Sequence, residues 1–141
     1  MSSGKKVWAG AVTGGLWYNN DITSSTSKWV SVSDLWANIT VTCIAFDPNN
    51  PGTMYVGTGE GWGTTSSSSR GYGIFKSTDS GRSFQHLTNT ANYYYINDIV
   101  VRNEAGTSVV YAAVDVLWFA GTWHGGATTP GIYRSTNGYL S

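Results

Sequence analysis

Residues 77–84 constrain the fold of this chain more than any other part of the sequence. They follow the pattern Ser-x-Asp-x-Gly-x-Ser-aromatic at every defined position. A weaker copy occupies residues 135–141, with Asn137 in the Asp place, Tyr139 in the Gly place and no residue left for the aromatic. Such segments come in series, one for each structural repeat, so we predict that the chain is built of repeats.

The residue types in these segments fit a tight turn between two strands. A carboxylate accepts hydrogen bonds from the backbone N–H groups that follow it, and a glycine two residues later permits a positive φ without a Cβ clash. The hydroxyls are expected to close the same turn, and the aromatic residue to anchor it to the apolar layer. We therefore predict a structural role, not a catalytic one, for these residues. They are Ser77, Asp79, Gly81, Ser83 and Phe84 in the first copy and Ser135 and Asn137 in the second.

Each of these segments ends a longer unit. The unit consists of an apolar run, a turn, a second apolar run, a long loop, a third run that begins with Gly, and the Ser-containing turn. Two copies begin at Val41 and Ile96, and a partial copy begins at Val7. The predicted divisions are a disordered segment 1–6, a partial unit 7–40, a complete unit 41–94 and an incomplete unit 95–141.

The apolar runs predict an all-β fold. They are short, rich in β-branched and aromatic residues and bounded by Gly, Pro, Asn, Asp and Ser, without a sustained helical period. If each unit is a four-stranded antiparallel blade of a β-propeller, the chain holds one whole blade flanked by two incomplete ones. A closed propeller needs typically four to eight blades. We therefore expect that a longer chain or other copies of this chain supply the remaining blades, and we favour a fragment of a longer chain.

The composition excludes several classes of partner. Eight basic and eight acidic residues give a net charge of zero, so the basic signature of proteins that bind nucleic acids or anionic membranes is absent. Cys43 lies in an apolar run and is expected to be a buried free thiol, and the spacing of ligand residues predicts neither a metal nor a cofactor. No apolar run reaches membrane-spanning length. Richness in Gly, Ser, Thr and aromatic residues is common in extracellular β proteins, so we expect a secreted or cell-surface location.

These motifs resemble those of one family. Residues 47–51 (Asp-Pro-Asn-Asn-Pro), 55–60 (Tyr-Val-Gly-Thr-Gly-Glu) and 73–79 (Gly-Ile-Phe-Lys-Ser-Thr-Asp) are similar to segments of the Asp-box propellers, also called bacterial neuraminidase repeat proteins. From Val7 onward the chain looks most like secreted bacterial proteins related to sortilin-type and xyloglucan-active propellers. The resemblance implies a fold but no single function, because the superfamily includes glycosidases, sorting receptors, photosystem assembly factors and binding domains.

Two catalytic arrangements of these relatives are not matched here. Sialidases bind a carboxylate with an arginine cluster and use a Tyr–Glu pair, whereas Arg82 and Arg134 of this chain belong to the boxes or their approach strands. Xyloglucan-active members use two Asp residues in a large cleft. Segment 11–17 resembles the surroundings of one of them, but an apolar or hydroxyl residue stands in its place. Both departures count against catalysis in this segment.

The loops between the second and third strands of each blade are expected to form an aromatic rim on the face opposite the boxes. Exposed rings stack on sugar rings or on apolar patches of proteins, so we predict a recognition surface there. The predicted ligand-binding residues are Trp36, Trp62, Trp118, Trp123 and Tyr72. The alternative for each ring is that it folds over the base of its loop and is buried.

Three titratable residues near this rim suit acid–base chemistry, namely Glu60, Asp115 and His124. Glycosidases need two carboxyls at a set separation, and the sequence does not fix the distance between Glu60 and Asp115, which are therefore minor catalytic candidates. His124 is expected to be a solvated loop residue, since no second metal ligand stands at a useful spacing.

The sequence therefore favours a noncatalytic recognition or scaffold module with a polysaccharide or protein ligand. One alternative is a fragment of a glycoside hydrolase whose catalytic acids lie mostly elsewhere. Another is a self-assembling structural protein in which neighbouring chains complete the outer blades. An acid pair converging on the rim favours the enzyme, and an aromatic platform without acids favours binding.

Overall fold

The computed structural model describes residues 5–32, 36, 40–61, 68–119, 122–124 and 130–140, with the backbone alone for 117–119 and 122–124. These ranges contain twelve β-strands and one short 3-10 helix, Thr88–Thr90. The strands are β1 (Val7–Ala11), β2 (Gly15–Asn19), β3 (Trp29–Ser31), β4 (Val41–Phe46), β5 (Met54–Thr58), β6 (Ile74–Ser77), β7 (Gln85–His86), β8 (Tyr95–Glu104), β9 (Thr107–Asp115), β10 (Leu117–Phe119), β11 (Thr122–His124) and β12 (Gly131–Ser135).

Three antiparallel sheets follow one another along the chain. Their strand orders are β1-β2-β3, β4-β5-β6-β7 and β8-β9-β12. The middle sheet is a complete four-stranded blade. Within the described ranges, the first sheet has no counterpart of β4 and the third has no counterpart of β7. The predicted all-β propeller segment, one whole blade between two incomplete ones, is confirmed.

The apolar core lies between the sheets, in two clusters. One cluster, between the first and second blades, includes Leu16, Met54, Val56 and Phe75, and the other, between the second and third blades, includes Tyr55, Ile74, Ile96 and Val110. Successive side chains of a strand point to opposite faces. Met54 and Val56 of β5 therefore face the first cluster, while Tyr55 between them faces the second. The middle blade is buried on both faces, and β5 accordingly reads as a continuous apolar run.

The third unit departs from the expectation of a long irregular loop. Its loop carries a hairpin in which β10 pairs with β11, with Trp118 opposite Trp123 and Phe119 opposite Thr122. Aromatic and β-branched residues favour strands. These runs contain residues that favour strands. They are three residues long, too short for an alternating pattern to distinguish a strand from a loop with aromatic residues.

Two further expectations concern Cys43 and the membrane. Cys43 is free and half-buried, and desolvation raises the pKa of its thiol to about 11. At neutral pH this side chain is therefore a protonated thiol that packs as a small apolar group. Across the ranges that the structure describes, no helix is long and apolar enough to cross a membrane.

Ile96→Ala is expected to destabilise the protein by about 2–5 kcal/mol, because truncation of a buried branched side chain leaves a cavity. Ile96 is 0% exposed in the cluster between the second and third blades. Val100 lies on the same strand and is 45% exposed, so Val100→Ala should cost about 0.5 kcal/mol or less. Urea denaturation at equilibrium measures both. Equal destabilisation by the two substitutions would contradict the assigned orientation of β8.

Candidate functional site

The turn between β6 and β7 is held by the carboxylate of Asp79. This group accepts hydrogen bonds from the N–H groups of Arg82 at 3.0 Å and Ser83 at 2.9 Å, and from the Ser83 hydroxyl at 2.6 Å. The Ser77 hydroxyl donates to the same carboxylate at 2.8 Å and accepts the N–H of Gly81 at 2.9 Å. These bonds, the Ser83 hydroxyl first among them, hold the pKa of Asp79 far below its usual range. Asp79 thus closes the turn.

Phe84 attaches this turn to the core. Its ring packs edge-on against Trp8 at a centroid distance of 6.2 Å and against Trp36 at 5.1 Å. Gly81 has a φ of 80°, and a Cβ on it would lie 2.3 Å from the Trp8 ring. Glycine is therefore required here both for the backbone conformation and for the close approach of Trp8.

The turn after β12 reproduces this arrangement with an amide in place of the carboxylate. The Ser135 hydroxyl donates to Asn137 Oδ1 at 2.7 Å, and the same oxygen accepts the N–H of Tyr139 at 2.9 Å. The positive φ falls on Gly138 (73°), which aligns with Ser80 (64°) of the first turn. The residue before the position of Gly81 is therefore left-handed in both turns, and in the first turn Gly81 is left-handed as well.

A third related turn lies between β2 and β3, where the sequence Ser27-Lys28-Trp29 resembles the end of such a segment. Asn19 Oδ1 accepts the N–H of Asp21 at 2.9 Å and the hydroxyl of Ser27 at 2.6 Å. Asp21 in turn accepts the N–H of Thr23 at 3.0 Å and its hydroxyl at 2.6 Å. Asn19 and Asp21 follow Gly15 at the same spacing at which Ser77 and Asp79 follow Gly73. That spacing is the sequence signal for the start of the turn, and Ser27 marks its end.

The opposite ends of the sheets, where β5 and β9 end and β6 begins, form what we call the loop side; the three turns above define the turn side. Buried hydroxyls fix the base of the loop side. Thr58 donates to the carbonyl of Gly73 at 2.6 Å and accepts the N–H of Tyr72 at 2.8 Å. The Thr90 hydroxyl accepts the N–H of Ile74 at 2.8 Å. The backbone that presents Tyr72 is therefore tied to the core.

An aromatic and cationic platform lies on the loop side. Tyr72 is 40% exposed and stacks on His86 with a centroid distance of 4.5 Å. The guanidinium of Arg70 lies 3.5 Å from the centre of the Tyr94 ring. Burial lowers the pKa of His86, and its Nε2 has no hydrogen-bond partner among the described residues. The imidazole is therefore neutral at pH 7 and supports Tyr72 as an aromatic surface.

The other predicted ligand-binding residues take different positions. Trp36 is half-buried and stacks on Phe75, with centroids 4.2 Å apart and rings 5° from parallel, in the core between the first two blades. Trp118 and Trp123 are paired in the β10–β11 hairpin, and their side chains lie outside the described part of the chain. Trp62 lies outside the described residues. Their roles in binding stay predictions.

Both candidate acids lie on the loop side. Glu60 is half-buried, and its backbone exchanges hydrogen bonds with Ser69 at 2.8 and 3.0 Å. Asp115 is exposed at the end of β9, where its carboxylate accepts the N–H of Val116 at 2.7 Å. Tyr95 is a neighbour of both segments, because it pairs with Asp115 in register and its ring would lie 3.3 Å from a Cβ built on Gly61, the residue after Glu60. The two acids therefore occupy neighbouring sheets on one side of the fold.

A metal ion would need several ligand side chains close together in the part of the chain that the structure describes. No three His, Cys, Asp or Glu side chains there are grouped so that they could hold an ion. His124 lies in β11, with its side chain outside the description.

The fold has a counterpart among solved structures. The chain matches the crystal structure of a GH74 enzyme from Niastella koreensis with a TM-score of 0.60 and 18% identity, over 99% of this chain. The chain is a β-propeller segment. It spans only 19% of the length of that enzyme, and at this identity the likeness shows the fold alone. No family model matches the chain, and neither does any curated protein.

The turn chemistry predicts a dependence of stability on pH. The pKa of Asp79 is lower in the folded chain than its ordinary value of 3.8, so the carboxylate stabilises the fold above that value, and this contribution is lost as the pH falls through the lower folded value. Asp79→Asn should therefore lower the Tm at neutral pH, and the difference from wild type should shrink in acid.

The matched control is Asp98→Asn, which alters an exposed acid whose carboxylate accepts the N–H of the next residue, Ile99, at 2.8 Å. Thermal denaturation followed by circular dichroism from neutral to strongly acidic pH makes the comparison. A Tm difference for Asp79→Asn that stays constant across this range would refute the assigned role of the carboxylate.

Proposed function

We propose that this chain is a noncatalytic glycan-recognition module of a secreted or cell-surface propeller protein. The observation that carries the proposal is the loop-side platform of Arg70, Tyr72 and Tyr94, which joins an exposed ring to a stacked guanidinium. The fold likeness to a GH74 enzyme supports a glycan as the class of ligand. The three related turns support the finer assignment to Asp-box propellers of the sortilin-type and xyloglucan-active kind.

The platform has the chemistry that sugar recognition needs. The exposed face of Tyr72 offers a flat apolar surface for the C–H face of a sugar ring. Arg70, Glu60 and Asp115 offer donors and acceptors nearby for hydroxyl groups. Because Thr58 binds both the N–H of Tyr72 and the carbonyl of Gly73, little conformational freedom at this position would be lost on binding.

Tyr72→Ala is expected to weaken glycan binding about tenfold, the effect of losing one well-placed aromatic anchor. A glycan array first identifies the oligosaccharides bound by the wild-type chain, and calorimetric titration then measures the affinity of each variant. The matched control is Tyr139→Ala, since Tyr139 is 49% exposed but lies on the turn side. Equal affinity of the Tyr72→Ala variant and the wild type would disprove the platform.

The double variant Trp62→Ala, Trp123→Ala tests the rest of the rim in the same assay.

The main alternative is part of a glycoside hydrolase, and the placement of Glu60 and Asp115 on one side of the fold favours it. A glycosidase needs two carboxyls facing each other across the scissile bond, and here Glu60 follows β5 of the second blade while Asp115 ends β9 of the third. Incubation with xyloglucan oligosaccharides separates the two functions. Release of reducing ends by the wild type, lost in Glu60→Gln or Asp115→Asn, would establish the enzyme instead of the binding module.

A second alternative is assembly through the outer blades. Strand β12 is paired on one side by β9, and its residue Ile132 is 69% exposed. An open strand edge with apolar side chains pairs readily with another chain. Light scattering gives the particle mass, and a discrete multiple of the 15.1 kDa chain would show that copies complete the blades.

A further inference from the structure

A cleft on the turn side, distinct from the loop-side platform, lies between the first and second blades. It has a volume of about 200 Å³ and is lined among others by Lys6, Trp8, Phe46, Pro51 and Ser80. Lys6 precedes β1, Phe46 ends β4, and Ser80 belongs to the turn after β6. The turn after β6 therefore contributes to the cleft, and the walls of the cleft come from both blades.

The cleft contains positive charge without a matching carboxylate. The ammonium of Lys6 lies 4.5 Å from the centre of the Trp8 ring and 4.4 Å from that of Tyr18. Burial, and then repulsion from Arg82, lower the pKa of Lys6. The ion pairs found in the described part of the chain are Lys5–Asp21 and Arg134–Glu104, so neither Lys6 nor Arg82 is paired there. A bound anion would relieve the repulsion between these two cations.

One wall of the cleft is apolar and exposed. Phe46 is 50% exposed, although it ends a strand whose other apolar residues pack into the core. Pro51 is exposed beside it, and the Ser80 residue is exposed at the rim. An exposed ring next to a half-buried lysine suits a ligand that has an apolar face and a negative group at its edge.

We propose that this cleft binds a uronic acid residue of an acidic oligosaccharide. The carboxylate of the sugar pairs with Lys6, its C–H face lies on Phe46, and its hydroxyls reach Ser80. A carboxylate that pairs with an ammonium group receives charge-assisted hydrogen bonds, which are roughly twice as strong as neutral ones. The site is separate from the loop-side platform, and its occupancy does not depend on the proposed function of that platform.

The junction between the second and third blades offers an internal contrast. Its turn-side cleft, of about 280 Å³, also holds a lysine against aromatic rings, with the Lys76 ammonium 5.4 Å from the Tyr55 centroid and 4.7 Å from the Tyr139 centroid. However, the Asp47 carboxylate lines this cleft and raises the pKa of Lys76 against the larger lowering by burial. The negative charge opposes a second anion, so this cleft is expected to stay empty of uronate.

Calorimetric titration with trigalacturonic acid tests the proposal, with the neutral trisaccharide galactotriose and with acetate as comparison ligands. The wild-type chain is expected to bind the acidic trisaccharide alone, more weakly as ionic strength rises. Lys6→Gln should reduce the affinity about tenfold, the effect of one lost charge-assisted contact. Phe46→Ala should also reduce it, and because this side chain is half exposed the variant is expected to fold.

Lys76→Gln is the matched control, since it removes the equivalent cation from the cleft that contains Asp47, and its affinity should equal that of the wild type. Thermal denaturation of each variant confirms folding. The proposal is overturned if Lys6→Gln and Phe46→Ala bind as tightly as the wild type, or if Lys76→Gln loses as much affinity as Lys6→Gln. Equal binding of galactotriose, equal binding of acetate, or no binding of trigalacturonic acid would each overturn it as well. Tyr72→Ala is titrated in parallel. Because it alters the loop-side platform and not the cleft, its affinity for trigalacturonic acid distinguishes a failure of the platform from a failure of the cleft.

Discussion

The burial of the middle blade on both faces is the constraint on which the rest of the structure depends. A sheet that is covered on one side can alternate apolar and polar residues, but β5 has neighbours on both sides and is buried along its whole length. Met54 and Val56 pack against the first blade, and Tyr55 packs against the third. Opposite faces of one strand therefore contribute to both of the clusters that join the outer blades to the middle one.

The turns convert this packing into a defined surface. Related turns follow β6, β12 and β2. They are held by the carboxylate of Asp79, by the amide of Asn137 and by Asn19 together with Asp21. What these side chains share is an acceptor oxygen placed two residues after a strand or at its last residue, where N–H groups have no partner in the sheet. The identity of the residue can thus vary while the turn persists. This explains why a strict sequence pattern finds one complete copy, one degenerate copy and no third.

The parts of the fold that could be predicted from the sequence are those set by interactions between neighbouring residues. The turn at residues 77–84 and the blade built around it follow from short-range hydrogen bonding and strand alternation, which are written in consecutive residues. The stack of Trp36 on Phe75 and the pairing of Trp118 with Trp123 depend on contacts between distant segments. Aromatic residues serve core and surface equally well, so their types alone do not separate a ring that stacks in the core from one that faces solvent. The cleft at Lys6 was not predicted for the same reason, since its walls come from two blades.

The two sides of the fold differ in how their charges are balanced, and this difference bears on function. The loop side carries Arg70 as well as Glu60 and Asp115, so cations and anions are mixed there and a neutral ligand with many hydroxyls meets both donors and acceptors. On the turn side, Asp79 is fully engaged by its own turn and Asp47 by the Ser108 hydroxyl at 2.7 Å and by neighbouring amides. Asp47 lines the second cleft, whereas the described lining of the first cleft contains Lys6 and no acid. A chain with no net charge can therefore present a local cationic site, because its acids and bases are divided unevenly between the two clefts.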